Sequence, residues 1–118
     1  MLKLNHKKLD VWKLAVKLVS TIYQVTSNYP KEELFGLTNQ TRRASTSISA
    51  NIAEGSSRKS LVERKRFYEI SRSSLVEVDN HIEVAIELGF LDEKTINKLD
   101  EKLNELFAKL SNFIEKAK

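Results

Sequence analysis

All six arginines of this 118-residue chain, Arg42, Arg43, Arg58, Arg64, Arg66 and Arg72, fall between positions 42 and 72, whereas the lysines run from end to end. Guanidinium is planar, permanently charged and pairs bidentately with phosphate. With Lys59 and Lys65, residues 40–72 hold eight basic side chains against Glu54, Glu63 and Glu69, a net of +5 in a chain whose total is +4. Arg58, Lys59, Arg64, Lys65 and Arg66 lie close enough in sequence to form one patch, and Lys65 and Arg72 share a helix face. Together with Arg42 they are candidate phosphate contacts to RNA or DNA, where neutralising phosphates releases counterions and drives binding. Glu63 and Glu69, interleaved with them, equally fit a solvated helix end. Arginines this dense also serve buried Arg–Glu bridges, so composition alone does not choose.

Other chemistries find fewer residues. A carboxylate-bridged metal pair in a helix bundle needs two Glu-x-x-His pairs and two further glutamates. This chain has two histidines, His6 and His81, and only Glu77 precedes one of them at helical spacing. Ser45, Ser47 and Ser49 have no histidine near them in sequence to act as a base. With no cysteine, disulfides, thiolate nucleophiles and cysteine metal sites are excluded. No glycine-rich phosphate loop occurs. The expectation is a non-enzymatic protein without metal or cofactor.

A second constellation is structural in character. In Gln40–Gly55, QTRRASTSISANIAEG, the residues Gln40, Arg43, Ser47, Asn51 and Glu54 recur at spacings of three and four. They form a polar line beside an apolar line of Leu37, Thr41, Ala44, Ile48 and Ile52. Two readings stay open. Arg43, Asn51 and Glu54 meet Glu69, Ser73 or Glu77 in a buried, register-fixing network, or the seam faces a partner subunit. Small hydroxyl side chains there permit close helix approach.

These residues must be carried by helices. Three glycines, one proline and an apolar share of 41% favour an all-α protein. The first helix spans about 9–27, with stripes Val11, Ala15, Leu18, Ile22, Val25 and Trp12, Val16, Val19, Tyr23, and ends before Pro30. The second spans about 36–54, with Gly55 expected as its C-terminal cap. Ser60 and Glu63 match a capping box that opens the third helix, 61–88. Asp92 caps the fourth, 93–116, whose Ile96, Leu99, Leu103, Leu106, Leu110 and Phe113 form the clearest heptad. Four amphipathic helices with short connections most simply make one antiparallel up-down-up-down bundle, a single domain over 1–118. Helices one and two carry more apolar surface than one buried stripe requires, which points to self-association with closed symmetry. No signal-peptide core or membrane span interrupts the pattern, so the expected location is cytoplasmic, away from membranes.

The run Gln40-x-Arg42-Arg43-Ala44-x-x-Ser47-Ile48-x-x-Asn51-Ile52-Ala53-Glu54-Gly55 resembles the signature of the bacterial 23S rRNA intervening-sequence proteins. Flanking matches are Val11-Trp12-x-x-Ala15, Tyr29-Pro30-x-x-Glu33-x-Phe35-Gly36-Leu37, Arg66-Phe67, Ser74-Leu75-x-Glu77 and Leu88-Gly89-x-Leu91. Ser73 and His81 depart from the glycine and glutamine common in that family. The resemblance implies an antiparallel four-helix bundle assembled as a homopentamer around a channel. A related branch, the accessory variability determinant of diversity-generating retroelements, implies binding of nucleic acid and of a nucleic-acid-processing protein. The expected function is therefore an oligomeric, non-enzymatic nucleic-acid binder, and the alternative is a structural or protein-interaction module.

Overall fold

The computed structural model describes every residue, Met1–Lys118. A short turn at Asn5–Lys8 leads into α1 (Asp10–Thr26), followed by α2 (Asn39–Ser56), α3 (Leu61–Glu87) and α4 (Glu93–Lys116). There are no strands, so the protein is all-α with four helices. Each helix packs on its neighbour in sequence, most extensively α2 on α3, and α4 also packs on α1. At 27 residues α3 is the longest helix, about 40 Å at the standard rise, and it nearly spans the 44 Å long axis of the molecule.

The apolar lines read from the sequence are what the helices bury. Ala15 and Ile22 of α1, Ile48 and Ile52 of α2, Leu75 and Val78 of α3, and Leu99, Leu106 and Leu110 of α4 join one 20-residue core. Burying each large aliphatic side chain contributes about 1.5–3 kcal/mol before ordering costs. Several hydroxyls inside this core donate to backbone carbonyls. Thr41 donates to Leu37 O at 2.7 Å, and Ser71 donates to Ile48 O at 2.7 Å, linking α3 to α2.

Helix ends differ from the expectations in two places. Helix two does not begin at Gly36. That residue sits at a kink with φ −111° and ψ −114°, and regular α2 starts at Asn39. Before the kink, the Glu33 carboxylate accepts from Leu37 N at 3.3 Å. Nor is Gly55 a left-handed cap; Gly89 alone has positive φ. Gly55 lies inside α2, where a Cβ would stand 2.7 and 2.9 Å from ring atoms of Tyr68 and 3.0 Å from Phe67 Cβ. It is a contact glycine that lets α3 approach, and α2 runs on to Ser56. At the starts of α3 and α4, Ser60 Oγ accepts from Glu63 N at 3.2 Å and Asp92 Oδ1 accepts from Thr95 N at 2.8 Å.

Candidate nucleic-acid interface

The close approach at Gly55 fixes where the basic residues go. Tyr68 packs over that glycine, and its hydroxyl lies 2.9 Å from Ser56 Oγ. The chain therefore turns tightly from α2 into α3, carrying Arg58 and Lys59 beside the first turns of α3. The Arg58 guanidinium lies 4.9 Å from the Phe67 ring centroid and 3.2 Å from the Glu54 carboxylate. Arg64 Nε donates to Arg58 O at 2.6 Å, which draws the two arginines together. Arg66 and Lys59 are exposed and Lys65 is half-buried. None of these three enters an ion pair; the pairs of the chain are Arg58–Glu54, His81–Glu77 and Lys109–Glu105. Arg58 and Glu54 are both substantially exposed, at 43% and 56%, so that pair contributes little, typically under about 1 kcal/mol, and competes weakly with a phosphate.

Two other candidates are placed differently. Arg42 is half-buried against the end of α1, donating from Nε to Thr26 Oγ1 at 2.9 Å and from Nη2 to Tyr23 O at 3.4 Å, with its guanidinium 4.5 Å from the Tyr23 ring centroid. It satisfies a C-terminal carbonyl of α1, where a cation also offsets the helix dipole. Arg72 reaches toward α4, donating to Ser111 Oγ at 3.3 Å. Neither lies with the Arg58–Arg66 cluster in its contacts.

Three lysines from outside residues 40–72 line a cleft next to the Tyr68 side of α3, one of them, Lys109, paired with Glu105. Phe113 of α4 packs edge-on against Tyr68, with ring centroids 4.8 Å apart. Phe113 also lines a cleft of about 450 Å³ with Lys8, Asp10, Lys109 and Lys116. The end of the molecule holding the α2–α3 connection thus gathers cations from the chain preceding α1 and from the last turns of α4. The sequence signal was available for two of them: Lys8 precedes α1 and Lys116 ends α4, and packing of the helices brings such termini together.

The polar seam divides. Ser47 and Asn51 are half-buried and engaged: Ser47 Oγ lies 2.9 Å from Ser74 Oγ, and Asn51 Nδ2 donates to Ser47 O at 2.8 Å and to Ser47 Oγ at 3.0 Å. The α3 partner is Ser74, not Ser73, Glu69 or Glu77. Gln40, Arg43 and Glu54 are exposed. Arg43 makes no side-chain hydrogen bond or ion pair, and with Gln40, Ser47 and Glu77 it lines a cleft of about 310 Å³. Glu77 instead approaches His81 at 3.2 Å. Within one subunit the network is therefore Ser47, Asn51 and Ser74, and it leaves Arg43 unpaired and Glu54 paired only with Arg58 at the surface.

No three histidine or acidic side chains come together in a way that would hold a metal ion. No helix is long and apolar enough to cross a membrane. Several large apolar residues remain exposed, among them Val16 and Tyr23 on α1 and Phe35 at the kink, the last 90% exposed.

Comparison with known proteins gives one family. The model described as 23S rRNA-intervening sequence protein matches residues 7–112, which takes in all four helices but the last turn of α4. No curated protein matches the chain.

Proposed function

The chain belongs to the 23S rRNA-intervening sequence protein family, and we propose that it acts without catalysis, as an oligomeric adaptor that binds RNA or DNA through phosphate contacts. The observation that carries this reading is the set of unpaired cations at the α2–α3 end. Lys59, Lys65 and Arg66 have no acidic partner within the chain, beside Arg58 and Arg64, which are held by weak or backbone contacts. Lys8 and Lys116, with Lys109 in its exposed pair with Glu105, add charge near that end beside Asp10. Arg42 and Arg72 contribute less, because each already donates within the fold.

The helix order and short connections support an antiparallel up-down-up-down bundle, and the exposed apolar residues of α1 and the kink support self-association. A homopentamer is the assembly that the family resemblance favours. A nucleic-acid-processing protein is a fitting partner for such an assembly, and the cytoplasm its fitting compartment. The alternative is a structural or protein-interaction module, and it too has an observation behind it: Arg43 and Glu54 are exposed on α2, where they are available to a second subunit.

Fluorescence anisotropy with labelled RNA and DNA oligonucleotides over a range of salt tests the reading. Phosphate-driven binding weakens steeply as salt rises. Absence of binding at low salt, or binding indifferent to salt, leaves the interaction-module reading. Native mass measured with and without nuclease gives subunit number and any co-purifying nucleic acid together.

A further inference from the structure

A different cleft, of about 370 Å³, opens between the end of α1 and the kinked entry to α2. Its lining includes Tyr29, Pro30, Lys31, Leu34, Thr38 and Arg42. Two features set it apart from the other surface clefts. Its charged side chains are both cations, Lys31 and Arg42, with no carboxylate among the lining residues. It also holds the one fully buried side-chain polar atom of the fold that has no partner. Tyr29 is 6% exposed, and its hydroxyl is that atom. Thr38 is largely buried beside it, and its hydroxyl is not tied to a backbone carbonyl as that of its neighbour Thr41 is.

An unpaired buried hydroxyl is costly, and no other fully buried side-chain polar atom of the fold is left without a partner. We infer that the cleft is a binding site for an oxyanion, specifically a phosphate group. Every free side-chain function in it is a donor or can act as one. Arg42 uses Nε and Nη2 on Thr26 and Tyr23, which fixes the guanidinium in place and leaves its other amino group uncommitted. Lys31 is exposed at the rim and supplies a mobile charge. Burial raises Tyr29 to about 12 from its ordinary 10.0, so its hydroxyl keeps its proton at neutral pH and serves as a donor. Glu33, the nearest acid in the same turn whose contact is defined, is directed to Leu37 N rather than into the cleft. The carbonyls that end α1 would repel an anion, and Arg42 covers one of them. The Tyr29 hydroxyl is closed to solvent, so it gains a partner only as the lining opens around the phosphate.

The shared chemistry has two sources, a free phosphate and the phosphodiester of a nucleic acid. The site is separate from the α2–α3 surface, and its test separates the two. Isotope-labelled full-length protein is titrated with inorganic phosphate at constant ionic strength, with chloride as the control. The amides of Lys31, Thr38 and Arg42 are expected to shift saturably. Lys31→Ala and Thr38→Val, which leave the core intact, each weaken the phosphate affinity about tenfold, the scale of one hydrogen bond to a charged group. Tyr29→Phe should raise the melting temperature without phosphate and shrink the further rise that phosphate gives. A hydroxyl that is only a packing defect would leave that further rise unchanged. Shifts that do not saturate, or affinities equal to wild type in both Lys31→Ala and Thr38→Val, overturn the inference. A single-stranded oligonucleotide that displaces phosphate from these amides assigns the phosphodiester as ligand; failure to displace it assigns the free anion. In neither case do Lys31→Ala and Thr38→Val alter salt-dependent binding at the α2–α3 surface.

Discussion

Ser47 of α2 and Ser74 of α3 meet hydroxyl to hydroxyl at 2.9 Å, with the Asn51 amide donating to the same Ser47 oxygen at 3.0 Å. This small network sits on the most extensive helix–helix contact of the fold, where a slip of α3 by one residue would put Ser73 or Leu75 opposite Ser47. Its net contribution is modest, on the order of 1 kcal/mol. Ser47→Ala is expected to destabilise by about 1–2 kcal/mol, because it removes one acceptor for Asn51 and the partner of Ser74 together. Ser74→Ala should cost less. Adding it to Ser47→Ala should cost almost nothing more, since its partner is already gone. Chemical denaturation of the two single variants and the double variant measures the coupling. Strict additivity of the two effects would mean that the hydroxyls do not act as a pair.

Gly55 gives a prediction opposite in sign to the usual one. Placed within a helix, glycine to alanine normally stabilises, by up to about 1 kcal/mol. Here the added Cβ would enter the Tyr68 ring at 2.7 Å, so α3 must move outward or Tyr68 must turn and lose its contact with Ser56. Gly55→Ala is expected to destabilise by about 1–3 kcal/mol, the range for overpacking. A melting temperature at or above wild type would show that α3 yields easily there. Since Arg58 and Arg64 are positioned by this turn, the same variant should also weaken nucleic-acid binding.

Why the sequence led elsewhere at Gly55 is instructive. A glycine after a helical stretch and before two serines has the local pattern of a cap. What decides its role is an aromatic ring 13 residues later, and that is tertiary information. Leu99, Leu103, Leu106 and Leu110 were legible for the converse reason: a repeat along one helix is a local property, and all four are buried. Ile48 and Ile52 were legible on the same terms. The polar seam was only half legible. Spacing aligned Arg43 and Glu54 with Ser47 and Asn51, but it could not say how far the buried arc of α2 extends. Arg42 and Arg43 are adjacent in sequence and point to different fates. One caps α1 and the other stands free in a polar cleft, a difference set by the rotation of α2 about its axis.

The cap of α4 sets an acid-side prediction. Asp92 is held below its ordinary 3.8 by its hydrogen bonds from Thr95, with a smaller contribution from Lys94. A carboxylate depressed in the folded state contributes stability that is present above its unfolded value and lost as pH falls through the folded one. Loss of this contribution is therefore expected below about pH 4. Asp92→Asn keeps an oxygen acceptor for Thr95 N and removes the titration. The variant should be somewhat less stable than wild type at neutral pH, and the gap should close on acidification. Urea midpoints measured at pH 7 and pH 3 test this, and a gap that stays constant with pH would contradict it.

The basic residues can be sorted by what each does for the fold, and that sorting predicts how variants separate binding from stability. Lys59 and Arg66 have no partner in the chain, so Lys59→Ala and Arg66→Ala should leave the melting temperature nearly unchanged. If each contacts one phosphate, its removal weakens binding to all sequences alike and reduces the magnitude of the salt slope by about one. Arg42→Ala should behave in the reverse way. It strips Thr26 and the Tyr23 carbonyl of a charged donor and uncovers the Tyr23 ring, so a loss of about 1–3 kcal/mol in stability is expected, with little change in the salt slope. Arg58→Ala falls between the two. Its pair with Glu54 is exposed and weak, but its stacking on Phe67 and the bond its carbonyl accepts from Arg64 place it at the centre of the surface. Binding should therefore suffer most in Arg58→Ala while the fold is only slightly weakened. If Lys59→Ala, Arg66→Ala and Arg58→Ala all keep the wild-type salt slope, the nucleic-acid surface is not at the α2–α3 end. Arg43, exposed near the start of α2 and without an ion pair, would then be the next residue to substitute.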